Sequence, residues 1–148
     1  MDENKIVSVK ALLYDADTDE IKRIISQTED QEILYVYAYN YNWDNGYDIP
    51  QTVLDNEKCD LSIALLIFYR ADGLSYLEDK YDNANLPQWS SFIKRLYDSI
   101  LTGQYQRGEI EFKVPLSKVQ LFKLKKVITE EENIFTENIE GKCLNIHL

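Results

Sequence analysis

The stretch that most constrains this chain is residues 61–71. Ile63, Ala64, Leu65, Leu66, Ile67 and Phe68 follow one another with no polar residue between them. A surface helix shows one apolar stripe, whereas a helix that is apolar all round has to be buried. Asp60 stands ahead of the run as an N-cap, and Gly73 stands behind it as a stop. The pattern predicts a central buried helix over 61–71, on which the rest of the chain packs.

The flanking segments read mostly as helices. Asp17, with Glu20 three residues on, has the form of a capping box, and Ile21, Ile24 and Ile25 supply the stripe that follows. Pro50 suits the first turn of a short helix through Leu54. Leu86-Pro87-Gln88 opens the clearest amphipathic pattern, with Trp89, Phe92, Ile93, Leu96, Tyr97, Ile100 and Leu101 at helical spacing and Gly103 as its end. Residues 116–128 form a further helical stretch rich in lysine: Lys118, Lys123, Lys125 and Lys126. Two segments are ambiguous. Residues 6–14 alternate at Val7 and Val9 and then turn helical. Residues 33–43 put Ile33, Leu34, Tyr37, Ala38 and Tyr41 on one helical face, yet Tyr35, Tyr37, Tyr39, Tyr41 and Trp43 also alternate as in a strand. The expected class is mainly α: a compact multi-helix domain over 1–148, with room for one or two short strands near 109–114 and 143–147.

Charge narrows the partner classes. The net charge is −10 over 148 residues, and residues 1–60 carry fourteen acids against five bases. Residues 101–148 carry seven of each. A field concentrated in this way repels phosphates and anionic lipid heads, so nucleic acid and membrane are not expected partners, and a basic protein surface is. The 45% hydrophobic content suits a packed core, and no apolar run reaches membrane-spanning length. Met1-Asp2-Glu3-Asn4-Lys5 is not a basic leader region, so the sequence predicts a cytoplasmic protein without an export signal.

Most catalytic arrangements lack their parts. The single histidine, His147, is the penultimate residue, and a general base needs a rigid orienting partner. Cys59 and Cys143 stand far apart and outside any CxxC pair, so reduced thiols are expected rather than a zinc site. The five glycines form no phosphate-cradling run. Paired carboxylates remain open, because Asp and Glu number 26. No cofactor and no metal is expected, and a non-enzymatic role fits better than an enzymatic one.

The most unusual stretch is Tyr39-Asn40-Tyr41-Asn42-Trp43-Asp44-Asn45-Gly46. Asn40, Asn42 and Asp44 occupy the first, third and fifth positions of a calcium-type loop. Asn45 stands where that loop needs glycine, and Gln51 where it needs a bidentate glutamate. The better reading is a structural turn built by Trp43, Asp44, Asn45 and Gly46. Asn and Gly accept turn backbones cheaply, and Trp43 buries its ring while its indole N–H finds a carbonyl.

The run Tyr41 to Gly46, then Ile49-Pro50, Cys59-Asp60, Ala64 to Tyr69 and Ala71-Asp72-Gly73, resembles the bacterial domain-of-unknown-function family 4274 over about residues 17–80. The resemblance implies helix over 31–42 and carries no catalytic residue with it. Small size, the acidic first portion and the missing catalytic apparatus together point to a protein-interaction module, in its specific form an immunity-type protein that binds a basic toxin. The alternatives are a carboxylate-based hydrolase, divalent-metal-dependent or not, and a self-assembling structural subunit. The candidate partner surface comprises Asp17, Asp19, Glu20, Asp30, Glu32, Asp44 and Asp48, with Tyr35, Tyr39 and Tyr47 as aromatic anchors between them.

Overall fold

The computed structural model describes residues 1–79 and 86–148. The described residues form eight α-helices: α1 Glu3–Tyr14, α2 Thr18–Gln27, α3 Gln31–Asn40, α4 Asp48–Asp55, α5 Leu61–Arg70, α6 Gly73–Glu78, α7 Pro87–Leu101 and α8 Lys118–Lys125. Two 3-10 segments, Trp43–Asn45 and Glu130–Thr136, complete the regular structure. The protein is mainly helical, as the apolar periodicities predict.

Aspartates open most of the early helices. Asp2, Asp17, Asp30 and Asp60 each accept a backbone N–H from the first turn of α1, α2, α3 and α5. Each thereby satisfies a donor that has no partner inside the helix and places negative charge at the positive end of the helix dipole. Asp17 Oδ1 accepts from Glu20 N at 2.9 Å, which is one half of the expected capping box. Residues 6–14 lie in α1, which settles that ambiguity as helix.

α5 is buried from Leu61 through Phe68, as its sequence requires. α3 is its counterpart, because Leu34, Tyr35, Val36, Tyr37 and Ala38 are buried in succession. α3 packs between α1 and α5, while α7 and α6 pack on α5. α2 lies on α4, and α4 touches both central helices. One connected apolar core runs from Val9 to Leu144.

Three details differ from the sequence reading. First, Gly73 is not the left-handed stop of α5. Asp72 takes that conformation at φ 63°, and Gly73 begins α6. The glycine is required for another reason: a Cβ there would sit 2.3 Å from the Phe68 ring. Second, neither 109–114 nor 143–147 forms a strand. Ile110 pairs with Lys142 and Phe112 with Ile139 in isolated bridges, so the alternation records inward-facing Ile110 and Phe112 on irregular chain. Third, residues 130–136, unassigned from sequence, form a 3-10 segment whose start is a Thr129–Glu132 capping box.

The C-terminal segment is tied to α3 by polar side chains. Asn40 Nδ2 donates to Ile146 O at 2.8 Å, and Asn40 Oδ1 accepts from Leu148 N at 2.8 Å. Tyr35 Oη donates to Asn145 Oδ1 at 2.7 Å. No helix among the described residues is long and apolar enough to cross a membrane.

Candidate functional site

The YNWDNG turn joins α3 to α4. Asn42 Oδ1 accepts from Asp44 N at 3.0 Å, and Gly46 closes the turn at φ 87°, a left-handed backbone that favours glycine. Tyr41 Oη donates to Gly46 O at 2.7 Å, which clamps the start of the turn to its end. Trp43 stands edge-on to Tyr41 at 5.2 Å and beside Phe92 of α7 at 6.3 Å. Tyr47 stacks on Phe92 at 4.9 Å. The turn therefore locks α3, α4 and α7 through rings. The expected carbonyl for the Trp43 indole is missing: among the described residues its buried Nε1 has no hydrogen-bond partner. The oxygens of Asn40 and Asn42 that an ion would need already accept backbone N–H groups, from Leu148 and Asp44.

The fold divides the candidate surface residues into two groups. Asp30 and Glu32, at the start of α3, are consumed internally. Lys5 Nζ of α1 lies 3.0 Å from Asp30 Oδ2 and 2.9 Å from Glu32 Oε1, and Lys142 Nζ lies 2.9 Å from Glu32 Oε2. Lys142, and after it Lys5, holds the Glu32 carboxyl below its ordinary range. Tyr35 is only 2% exposed and belongs to the core. Tyr39 is half-buried, stacked on Tyr35 and 3.2 Å from His147 Nε2 through its hydroxyl. Tyr47 is half-buried against Phe92.

Asp17, Asp19, Glu20, Asp44 and Asp48 are exposed. Their one ion pair among the described residues is a long contact of 4.0 Å between Lys22 Nζ and Asp48 Oδ2. That contact bridges α2 and α4, which pack on each other. On the face of α2 that carries Glu20 and Ile24, α1 and α2 enclose a cleft of about 380 Å³. Ala11, Leu12, Ala16, Ile24 and Ile33 line it together with the acids Asp15 and Glu20.

Among the described residues two acids are buried: Asp60, which the sequence marks only as a helix cap, and Glu132, which sequence reasoning passed over. Asp60 is 2% exposed; its Oδ1 accepts from Ile63 N at 3.0 Å, and its Oδ2 has no partner among the described residues. Burial pushes this carboxyl up, and the N–H groups of Ile63 and Ser62 pull against that. Glu132 is 1% exposed and accepts from Tyr97 Oη and Thr129 N. The Thr129-x-x-Glu132 spacing was the sequence signal for it. Cys59 is buried with its thiol pushed up, and Cys143 is exposed; both are free thiols.

Residues 29–101 match the family model described as a domain of unknown function, DUF4274. This segment is a DUF4274 domain. It starts after α2 and runs through α7, further than the resemblance over 17–80 suggests, and it holds both central helices and the YNWDNG turn. Helices α1 and α2 precede it, and the irregular C-terminal segment follows it. Neither a curated protein nor a solved structure matches the chain.

Proposed function

We propose that this DUF4274 protein is an interaction module that takes a basic protein segment on the edge formed by α1, α2 and the start of α4. The observation that carries the reading is the α1–α2 cleft, with its apolar floor and with Asp15 and Glu20 in its lining. Asp17 and Asp19 at the head of α2, Asp44 in the turn and Asp48 at the head of α4 add exposed negative charge outside the cleft. An apolar side chain flanked by lysine or arginine suits such a cleft: the anchor supplies affinity, and the surrounding charges speed the encounter. In its specific form, the reading is an immunity-type protein that neutralises a basic toxin.

The test is capture from extract of the native cells, with three proteins as bait. The parent retains a basic partner. A variant with Asp17, Glu20, Asp44 and Asp48 changed to Lys loses it, and so does Ala11→Arg, which puts bulk and positive charge at an exposed position of the cleft. Loss of the partner on reversing Lys118, Lys123, Lys125 and Lys126, with retention by the acidic-edge variant, transfers the working face to α8 and overturns the reading.

A further inference from the structure

A second cleft, remote from the acidic edge, has the opposite chemistry. It measures about 410 Å³, within the range of roughly 300–1,000 Å³ found for small-molecule sites. It lies where α3, α5 and the C-terminal segment meet, and its walls are aromatic: Tyr35, Tyr39, Tyr69 and Phe112. Tyr69 and Phe112 stack at 6.0 Å with 23° between their planes, and Tyr35 stacks on Tyr39 at 6.3 Å.

Three polar groups of this cleft, Arg70, Asn145 and Gln120, carry donors without a protein acceptor among the described residues. Arg70, also in the lining, has its guanidinium carbon 4.5 Å from the centre of the Tyr39 ring, which holds the fork over that face. No acid lies within ion-pair distance of Arg70 among the described residues, although the chain carries ten more negative charges than positive. Its place in the last turn of α5 suits the helix dipole, and its five N–H donors have no protein acceptor among the described residues. The amides of Asn145 and Gln120 present the same imbalance. Asn145 Oδ1 accepts from Tyr35 Oη and Gln120 Oε1 from Ser117 N, so each side-chain NH₂ is left without a partner among the described residues. The tyrosine hydroxyls are already committed, Tyr69 to Phe135 O and Tyr35 to Asn145. Asp72, the acid of the lining, accepts from Ser75 Oγ at 2.9 Å.

We propose that the cleft between Tyr39, Tyr69, Arg70 and Phe112 is a binding site for a small aromatic monocarboxylate. The guanidinium fork matches a carboxylate in a two-bond geometry, and the free amides of Asn145 and Gln120 supply further donors. The stacked rings take the flat apolar body by offset or edge contacts. One free arginine neutralises one negative charge. Lys113, the other cation of the lining, is 3.8 Å from Glu111, and Asp72 opposes a second negative charge, so a dianion such as phosphate fits worse.

The test is isothermal titration of the full chain with phenylacetate and benzoate, against acetate, inorganic phosphate and benzylamine. The expected result is one site for the aromatic carboxylates, at least roughly tenfold tighter than acetate or phosphate and absent for benzylamine. Arg70→Met weakens it at least roughly tenfold, and Arg70→Lys, which keeps the charge but loses the fork, weakens it less. Arg70 is exposed, so both variants should melt like the parent; a parent-like melt confirms that lost binding is not lost fold. Gln120→Ala, also in the lining, gives a second and milder loss of roughly threefold. The proposal is overturned if neither aromatic acid binds up to ten millimolar, if phosphate binds more tightly than both, or if Arg70→Met leaves their affinity unchanged.

Discussion

Asp30 and Glu32 at the head of α3, and Asp17 to Glu20 at the head of α2, are acids of the same kind at the same kind of place, yet the fold uses them oppositely. At α3, two lysines arrive from distant parts of the chain and turn the acids into a clasp joining α1, α3 and the C-terminal segment. At α2, Asp17 only caps its own helix, and Asp19 and Glu20 face solvent without an ion pair among the described residues. The difference teaches that formal charge overstates available charge. What a partner meets is the charge that the fold has not already spent on itself.

Moving a carboxylate from the edge into the core breaks the comparison most severely. Leu65 is fully buried in α5. Leu65→Asp costs several kcal/mol, comparable with a whole domain's stability of about 5–15 kcal/mol. The expected outcome is loss of the cooperative thermal transition, read by circular dichroism. A parent-like melt refutes the placement of α5 at the centre.

Asp60 lies between the two extremes, as a cap that is also buried. Asp60→Ala removes the acceptor for Ile63 N and costs about 1–2 kcal/mol. Asp60→Asn keeps an acceptor and removes the titration. Because burial raises the folded-state value, the carboxyl favours the folded chain most at low pH and loses that contribution as pH rises through the raised value. Asp60→Asn should therefore gain on the parent between pH 4 and pH 7, roughly the interval above the ordinary Asp value of about 3.9. A constant difference across that interval in denaturant melts contradicts the assignment.

Glu32 has the opposite sign and a smaller size. Its lowered value means a contribution that is present above the ordinary value and drains away as pH falls through the folded-state value. Glu32→Gln should cost about 1 kcal/mol or less at neutral pH, since salt and solvent screen the lysines. The two stabilities should converge as pH falls below about 4. A gap that persists at pH 3 shows that the loss is one of packing rather than charge.

The helical half of this picture was legible because its signals are local. Asp17 and Asp60 sit next to the stripes they cap, Pro87 opens α7, and residues 63–68 are apolar without interruption. The clasp was not legible, because Lys142 reaches Glu32 across 110 residues of chain and nothing near either residue announces the other. Tyr35 was misplaced for a related reason. α3 is buried all round, so its tyrosines carry no stripe that separates Tyr35 from the half-buried Tyr39. The alternation of Ile110 and Phe112 marked burial correctly, but burial on irregular chain has the same period as a strand. The exposure of Asp17, Asp19, Glu20, Asp44 and Asp48 was legible, while the α1–α2 cleft was not, since it arises from how two helices lean together.

The smallest change to the fold is the one with the largest bearing on function. Reversing Asp17, Glu20, Asp44 and Asp48 to Lys touches exposed positions, and its stability effect should stay within about 1 kcal/mol, most of it from the Asp17 cap. The decisive measurement is the association rate of the captured basic partner with parent and variant, followed from low to physiological salt. The account predicts that the parent's rate falls steeply as salt rises. The edge variant should associate at least roughly tenfold more slowly at low salt with a flattened or inverted salt dependence, and the Glu32→Gln control should behave like the parent. Equal rates and equal salt slopes for parent and edge variant would contradict the proposal that the unspent acids at the heads of α2 and α4 and in the turn between α3 and α4 form the working face.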